Sequence, residues 1–148
     1  MSEVTAELVA TAYDALASGD RARIEQYWDT NMVWLVPGHN HLSGLYQGLD
    51  RFLDFMGIVG TLSGSSFRME RTVIMLADEY SADVTRNIGY RDGDENGQVP
   101  YRQLDIDVVH VLRWRNGKII EGRGAIFGDG TTQYDQFWSR VGASAPLR

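Results

Sequence analysis

The strongest local constraint on this chain is Asn116-Gly117, set between two runs of alternating residues, 101–115 and 118–127. Asn-Gly supplies the two left-handed residues that a tight hairpin turn requires, so the runs on either side are antiparallel strands in contact. On the first of them, period two places Ile106, Val108, His110, Leu112 and Trp114 on one face and Asp105, Asp107, Val109, Val111 and Arg113 on the other. His110 therefore points where leucine and tryptophan point. An imidazole there is either a core group satisfied by hydrogen bonds or a pocket group able to move protons near neutral pH.

Upstream, the period changes. Residues 3–18 repeat apolar positions at helical spacing (Val4, Leu8, Ala12, Ala15, Leu16). A shorter helix is expected after Asp20 as N-cap, carrying Ile24, Tyr27 and Trp28 and ending at Asn31. Met32–Val36 reads as a strand stopped by Pro37-Gly38, and His39–Gly48 as a glycine-bearing loop. Leu49–Leu62 is a helix broken by Ser63-Gly64-Ser65. Strands follow at 67–77 and 80–91, then the pair flanking Asn116-Gly117. A last short helix, capped by Thr131 or Thr132, carries Tyr134, Phe137 and Trp138. The expected fold is α+β: a curved mixed or antiparallel sheet wrapped as a cone around N-terminal helices, in one domain over 1–141 with a loose tail at 142–148. Such a cone can hold a small molecule.

Composition excludes several classes. With 148 residues, 43% hydrophobic and 23% charged, the chain is of ordinary globular make-up, and no apolar run approaches the ~20 residues of a membrane span. A net charge of −6, with Lys118 the sole lysine and the arginines scattered among acids, argues against nucleic-acid partners. The absence of cysteine and of a signal-like N-terminus fits a cytoplasmic location. Phosphate-binding, dinucleotide and Gly-x-Ser-x-Gly motifs are absent, so no cofactor is expected. His39 and His41 stand alone as His-x-His, without the further ligands a metal site needs, and no metal is expected. The acidic turn Asp92–Gly97 lacks the ligand spacing of a calcium loop and reads as a solvated hairpin tip.

Four segments carry a resemblance: Val33-Trp-Leu-Val-Pro-Gly38, Leu42-Ser-Gly-Leu-Tyr-Gln-Gly48, Ser63-Gly-Ser-Ser-Phe67 and Val109-His-Val-Leu-Arg-Trp-Arg-Asn-Gly-Lys-Ile-Ile-Glu121. Over about Val4 to Trp138 the chain resembles the SnoaL-like branch of the nuclear-transport-factor-2-like superfamily, which includes ketosteroid isomerases, polyketide cyclases and limonene-type epoxide hydrolases alongside non-catalytic binding domains. The resemblance implies a cone-shaped fold, often dimeric, with the ligand between the sheet and the N-terminal helices. Most catalytic residues of the family do not carry over. The isomerase base falls on Val36 and its oxyanion tyrosine on Ala12, with Tyr13 one position off and rotated by about 100°. The isomerase's oxyanion aspartate falls on His110. The proton-transfer aspartate of the cyclases and hydrolases falls on Gly124. The hydrolase arginine matches Arg86, but its partner aspartate falls on Ile88.

What remains for catalysis is His110, with Arg86 to offset negative charge and His39 or Tyr46 as a second polar contact. The same resemblance makes Trp34, Val36, Tyr46, Phe52, Phe55, Met56 and Trp114 a binding wall. By alternation Gly122 and Gly124 share a face with Ile120 and Ile126; two glycines opposite His110 leave room for a flat ring, or else admit Trp34 or Trp114, or bend the strand. The expected activity is cofactor-independent proton transfer on an apolar carbonyl metabolite, polyketide- or steroid-like, of the isomerase or cyclase type. The alternatives are a hydrophobic-ligand-binding or dimerisation module and an epoxide hydrolase. A homodimer is expected through Val109, Val111, Arg113, Arg115, Glu121, Arg123, Ala125 and Phe127 on the outer sheet face.

Overall fold

The computed structural model describes residues 3–96 and 102–139. Helix α1 (Ala6–Ser18) starts where the Thr5 hydroxyl accepts the Leu8 N–H at 3.1 Å, and stops at Gly19, whose φ of 70° is the left-handed conformation that glycine tolerates. It buries Val9, Ala12, Tyr13, Ala15 and Leu16. Asp20 caps α2 (Arg21–Ile24), which is only four residues long. The expected continuation to Asn31 is a correction: Trp28 opens strand β1 (Trp28–Val36). Ile24, Tyr27 and Trp28 mimic helical spacing, but tertiary pairing decides. The Ile119 N–H donates to the Tyr27 carbonyl at 2.8 Å, and the Trp28 indole N–H donates to the Ala12 carbonyl at 2.9 Å, holding a wholly buried ring on α1.

The expected loop between β1 and the third helix contains a short strand, β2 (Gly44–Gln47), paired antiparallel to β1. Helix α3 (Leu49–Leu62) follows, then β3 (Arg68–Ala77), β4 (Tyr80–Tyr90), β5 (Gln103–Arg115), β6 (Lys118–Ile126) and α4 (Gly130–Trp138). Asn116 and Gly117 have φ of 52° and 77°, the pair of left-handed residues expected of that hairpin. Helix α4 begins at Gly130 with Asp129 at the N-cap position, not at Thr131 or Thr132. At the acidic turn Arg102 bridges Asp92 and Asp94, each at 3.2 Å. Gly97, Tyr101 and the 142–148 tail lie outside the described residues.

The sheet order is β2-β1-β6-β5-β4-β3, with β1 and β6 parallel and every other pair antiparallel. The architecture is α+β, with helices packed on one face of a curved, unclosed mixed sheet. Strand β5 alternates buried and less buried residues along its length, so Leu104, Ile106, Val108, His110, Leu112 and Trp114 all face the helices. On β6 the phase slips. A bulge sets Ile119 opposite Trp114 and Glu121 opposite Arg113, leaving Ile120 as the extra residue; Ile119 is core, and Gly122 and Gly124 then point inward. Among the described residues no helix is long and apolar enough to cross a membrane.

Candidate active site

Strands β4 and β5 build the site between them. Their register puts Asp83 opposite His110, on the inner face of both strands. The inward row of β4 is Ser81, Asp83, Thr85 and Asn87, four polar residues in a period-two series, all buried. Asp83 is fully shielded from solvent. Its Oδ1 accepts from His110 Nδ1 at 2.9 Å and from the Thr85 hydroxyl, and its Oδ2 accepts from the Tyr13 hydroxyl at 2.7 Å. Burial pushes the Asp83 carboxyl up, but the hydrogen bond and charge of His110, joined by Thr85 and Tyr13, outweigh that and hold it below the ordinary carboxylate range. An ionised carboxylate only accepts hydrogen bonds, so Nδ1 carries the ring proton in the neutral imidazole and Nε2 is a free lone pair. Nε2 has no hydrogen-bond partner among the described residues.

Tyr13 reaches Asp83 from α1. Burial first, then the charge of Asp83, raises its phenol well above the ordinary value, so it remains a donor. Tyr13, one position from the place of the isomerase tyrosine, lines the cavity and gives its hydroxyl to the carboxylate behind the imidazole. Asp83 and Thr85 were missed because polar alternation on a strand ordinarily marks its solvent face; the signal was present in the series Ser81-Asp83-Thr85-Asn87.

His110, 6% exposed, forms part of the wall of an apolar cavity together with Trp34, Val36, Phe52, Phe55, Met56 and Gly124, six of the residues expected there. Tyr13, Leu16, Pro37, Phe67, Met69, Asn87, Val108, Tyr134 and Trp138 also line it. Trp34 lies 5.6 Å from the His110 ring, centroid to centroid, and 4.9 Å from Phe52. The Tyr134 hydroxyl has no partner among the described residues. Its phenol is raised, by burial first and then by the charges of Asp135 and Tyr46, so it too remains a donor. The cavity volume is about 50 Å³. Tyr13, Leu16, Met56, Val59, Phe67 and Met69 are shared with a neighbouring cleft of about 610 Å³ between α1, α3 and β3.

Several expected site residues lie elsewhere. Arg86 points to the outer face, half exposed, and makes a two-pronged ion pair to Asp105 with both contacts at 2.7 Å. His39 is exposed, and only its backbone N–H is engaged, donating to Asp135 at 2.9 Å. Tyr46 donates to the Leu42 carbonyl at 2.7 Å and packs at a tilt against Phe55, outside the cavity wall. Trp114 is core, its indole N–H donating to Ser81 at 2.9 Å. Ile126 packs beside Gly130. The space above Gly122 is taken: a Cβ there would sit 2.3 Å from two carbons of the Trp34 ring, so this glycine admits tryptophan and leaves no room for a ligand ring. Gly124 faces the His110 ring edge and Pro37, each 3.4 Å from its Cβ position. Among the described residues no three His, Asp or Glu converge as metal ligands.

A cone of this topology with an imidazole set into an apolar cavity defines a class, and the family comparison agrees. Residues 9–122 match the SnoaL-like domain, and the chain belongs to that family. Among solved structures it is similar to Bal32a, from a soil-derived mobile gene cassette (26% identity, 90% of this chain and 95% of that one, TM-score 0.77). A protein of cystatin-like fold from Xanthomonas campestris is similar at 24% identity, over 90% and 97% of the two chains, with TM-score 0.76. TerC, co-crystallized with polyporic acid, is similar at 17% identity, over 90% and 97%, with TM-score 0.69. No curated protein matches the chain significantly.

Proposed function

We propose that this protein catalyses proton transfer on an apolar, carbonyl-bearing metabolite without a cofactor, with His110 as the base. The observation that carries this reading is the His110–Asp83 pair: Nδ1 is held by a buried carboxylate while Nε2 faces an apolar cavity. Nε2 removes a proton from the carbon next to the carbonyl, the C–H electron pair passes into an enolate, and the imidazolium is balanced by Asp83 at 2.9 Å. Returning that proton to another carbon gives isomerisation; attack of the enolate carbon on a second carbonyl, with the proton passed to the new alkoxide, gives cyclisation. Tyr134, kept as a phenol, is the donor for the developing oxyanion. Tyr13 and Thr85 are positioning residues that act through Asp83. TerC, which shares the fold, was co-crystallized with polyporic acid, and this supports a small-molecule role.

The test is deuterium uptake next to the carbonyl of 2-tetralone in D₂O, followed by NMR. The protein should accelerate exchange, and His110→Ala should lower the rate by at least about 10²-fold. Arg86→Ala, on the outer face, serves as the control and leaves the rate unchanged. Equal rates for His110→Ala and the unmodified protein refute the reading. The small enclosed volume favours a second reading, in which the same cavity binds an apolar ligand without converting it; 2-tetralone that raises Tm but exchanges no faster than in buffer would select that one. We also propose a homodimer through the outer sheet face, where Leu35, Leu45, Tyr80 and Phe127 are 43%, 54%, 41% and 52% exposed.

A further inference from the structure

Helix α3 changes character halfway along. Its first half buries Leu49, Phe52 and Phe55, and the Phe52 ring lies 5.4 Å from Trp28 and 4.9 Å from Trp34, centroid to centroid. Its second half, residues 56–62, holds Gly57 and Gly60. A glycine inside a helix has a structural reason where close packing demands it, but a Cβ built at either position would meet nothing among the described residues within 4 Å. Each therefore weakens the helix relative to alanine, about two- to fivefold in the local folding constant, without a contact that requires it. The same turn carries a third weakness. The Thr61 hydroxyl donates to the Gly57 carbonyl at 3.1 Å, a back-bond of the kind that loosens and bends helices.

This soft turn stands at a boundary. Met56 and Val59 line both the apolar cavity of about 50 Å³ and the cleft of about 610 Å³, so they lie between the two. The facing side of the boundary is braced: Tyr13 is tied to Asp83 at 2.7 Å, and Phe67 meets the Trp138 ring edge-on at 5.7 Å. Beyond the turn the chain is pinned again. The Ser66 hydroxyl accepts the Tyr90 N–H at 2.8 Å, and Gly64 lies so close to Asp92 that a Cβ there would sit 2.5 Å from its backbone. Residues 56–62 are thus a weak link between two fixed points. The cavity alone is far smaller than the about 300–1,000 Å³ of small-molecule sites, whereas cavity and cleft joined fall within that range.

We propose that residues 56–62 are a gate: in a minor state the turn gives way at Gly57 and Gly60, Met56 and Val59 withdraw, and cavity and cleft become one space in which an entering molecule reaches His110 Nε2. The closed turn keeps the cavity small, and the two glycines set how often it opens. The gate is a property of α3 and holds whether His110 acts as a base or only lines a binding site.

The test is the rate at which diethyl pyrocarbonate modifies His110, followed by peptide mass spectrometry, with the exposed His39 as internal reference. His110, 6% exposed, should react at least about tenfold more slowly than His39. Gly57→Ala/Gly60→Ala should slow His110 by about a further tenfold, leave His39 unchanged and raise Tm by about 2–6 °C. Thr61→Ala changes an exposed side chain outside both linings, adds no atom to the path, and should slow His110 about threefold. Amide hydrogen exchange supplies a second readout: the Ser63 N–H, which donates to Val59 at 3.1 Å, should exchange sooner than that of Phe55, and the double substitution should raise its protection about tenfold. Equal His110 rates in all three proteins, or a His110 as reactive as His39, overturn the gate and leave the assignment of the base standing. A His110 that never reacts overturns it too, since no opening then reaches the ring. Slowing by the two alanines without any by Thr61→Ala marks the added methyl groups as obstacles and removes the role of helix weakness. A fall in Tm for the double variant shows that packing needs both glycines, which also defeats the inference.

Discussion

Exchanging Asp83 for asparagine alters one terminal atom and its charge at the centre of the site. The carboxylate accepts three hydrogen bonds, from Tyr13 at 2.7 Å, from His110 at 2.9 Å and from Thr85, with no access to solvent. An amide can keep its oxygen toward His110 and Thr85, but it then sets an N–H₂ against the Tyr13 hydroxyl, which must rotate and cease to donate. A hydrogen bond to a charged group contributes about 1.5–3 kcal/mol and a neutral one about 0.5–1.5 kcal/mol, so weakening three of them costs ~3 kcal/mol. Removing a buried charge returns part of this, about 1 kcal/mol, since burial opposes ionisation. The expected net loss is ~2 kcal/mol at pH 7, a fall of about 4–8 °C in Tm for a chain of this length.

The pH dependence gives this prediction a second edge. The folded-state carboxyl is held below its unfolded value of about 3.9, so its stabilisation is complete above that pH and is lost as pH falls through the folded-state value. Urea unfolding of the protein and of Asp83→Asn at pH 7, 5 and 3, analysed with equal slopes, should therefore show a gap that is constant from pH 7 to 5 and narrows below 4. Deuterium exchange should fall with the same substitution, because a neutral amide oxygen facing Nδ1 no longer balances the charge that the ring gains when Nε2 takes a proton. Equal midpoints at pH 7, or a gap unchanged down to pH 3, refute the account of Asp83 as a buried, ionised acceptor.

Two further outcomes follow from packing. Gly122→Ala places a methyl 2.3 Å from the Trp34 ring, so the ring must swing into the cavity; the expected cost is about 1–3 kcal/mol, read by thermal unfolding, together with a changed tryptophan near-UV signal. Sedimentation at micromolar concentration should give twice the mass of the chain, and Leu45→Glu, at an exposed position on the outer face, should give the single chain with an unchanged far-UV spectrum.

What could be read in the chain and what could not divides along physical lines. Local chemistry was legible: Asn116-Gly117 for the hairpin, helical spacing for α3, and period two for the inward direction of His110. Three features depend on contacts between distant segments and were not. Trp28 has helical spacing from Ile24 but is drawn into β1 by pairing with Ile119. Of the readings open for Gly122 (a ligand ring, a tryptophan or a bent strand), only the contact with Trp34, far away in sequence, decides for the tryptophan. Asp83 looks like a solvent-facing residue in a polar alternation, and only the position of β4 between β3 and β5 turns that row inward. Arg86 was misplaced for the same reason. It shares the outward parity of Ala82 and Val84, and meets Asp105 across the outer face.

The location of the carboxylate decides which group meets the ligand. At the positions where the family resemblance puts carboxylates, this chain has Val36 and Gly124 facing inward, Ile88 with outward parity, and His110, none of them an acid. Its one inward carboxylate of β4 stands a layer further back and touches the cavity through His110 and Tyr13. With the imidazole neutral, the wall is therefore uncharged and the cavity can remain dry, which favours an apolar ligand. When Nε2 takes a proton, the new charge appears one hydrogen bond from a carboxylate that is already ionised and already held by two other donors, so little needs to rearrange as the charge develops. The same arrangement makes Asp83 indispensable in a way that a ligand-facing acid would not be: without it, the ring has neither a fixed tautomer nor a counter-charge, and an intact cavity would bind its ligand and leave it unchanged.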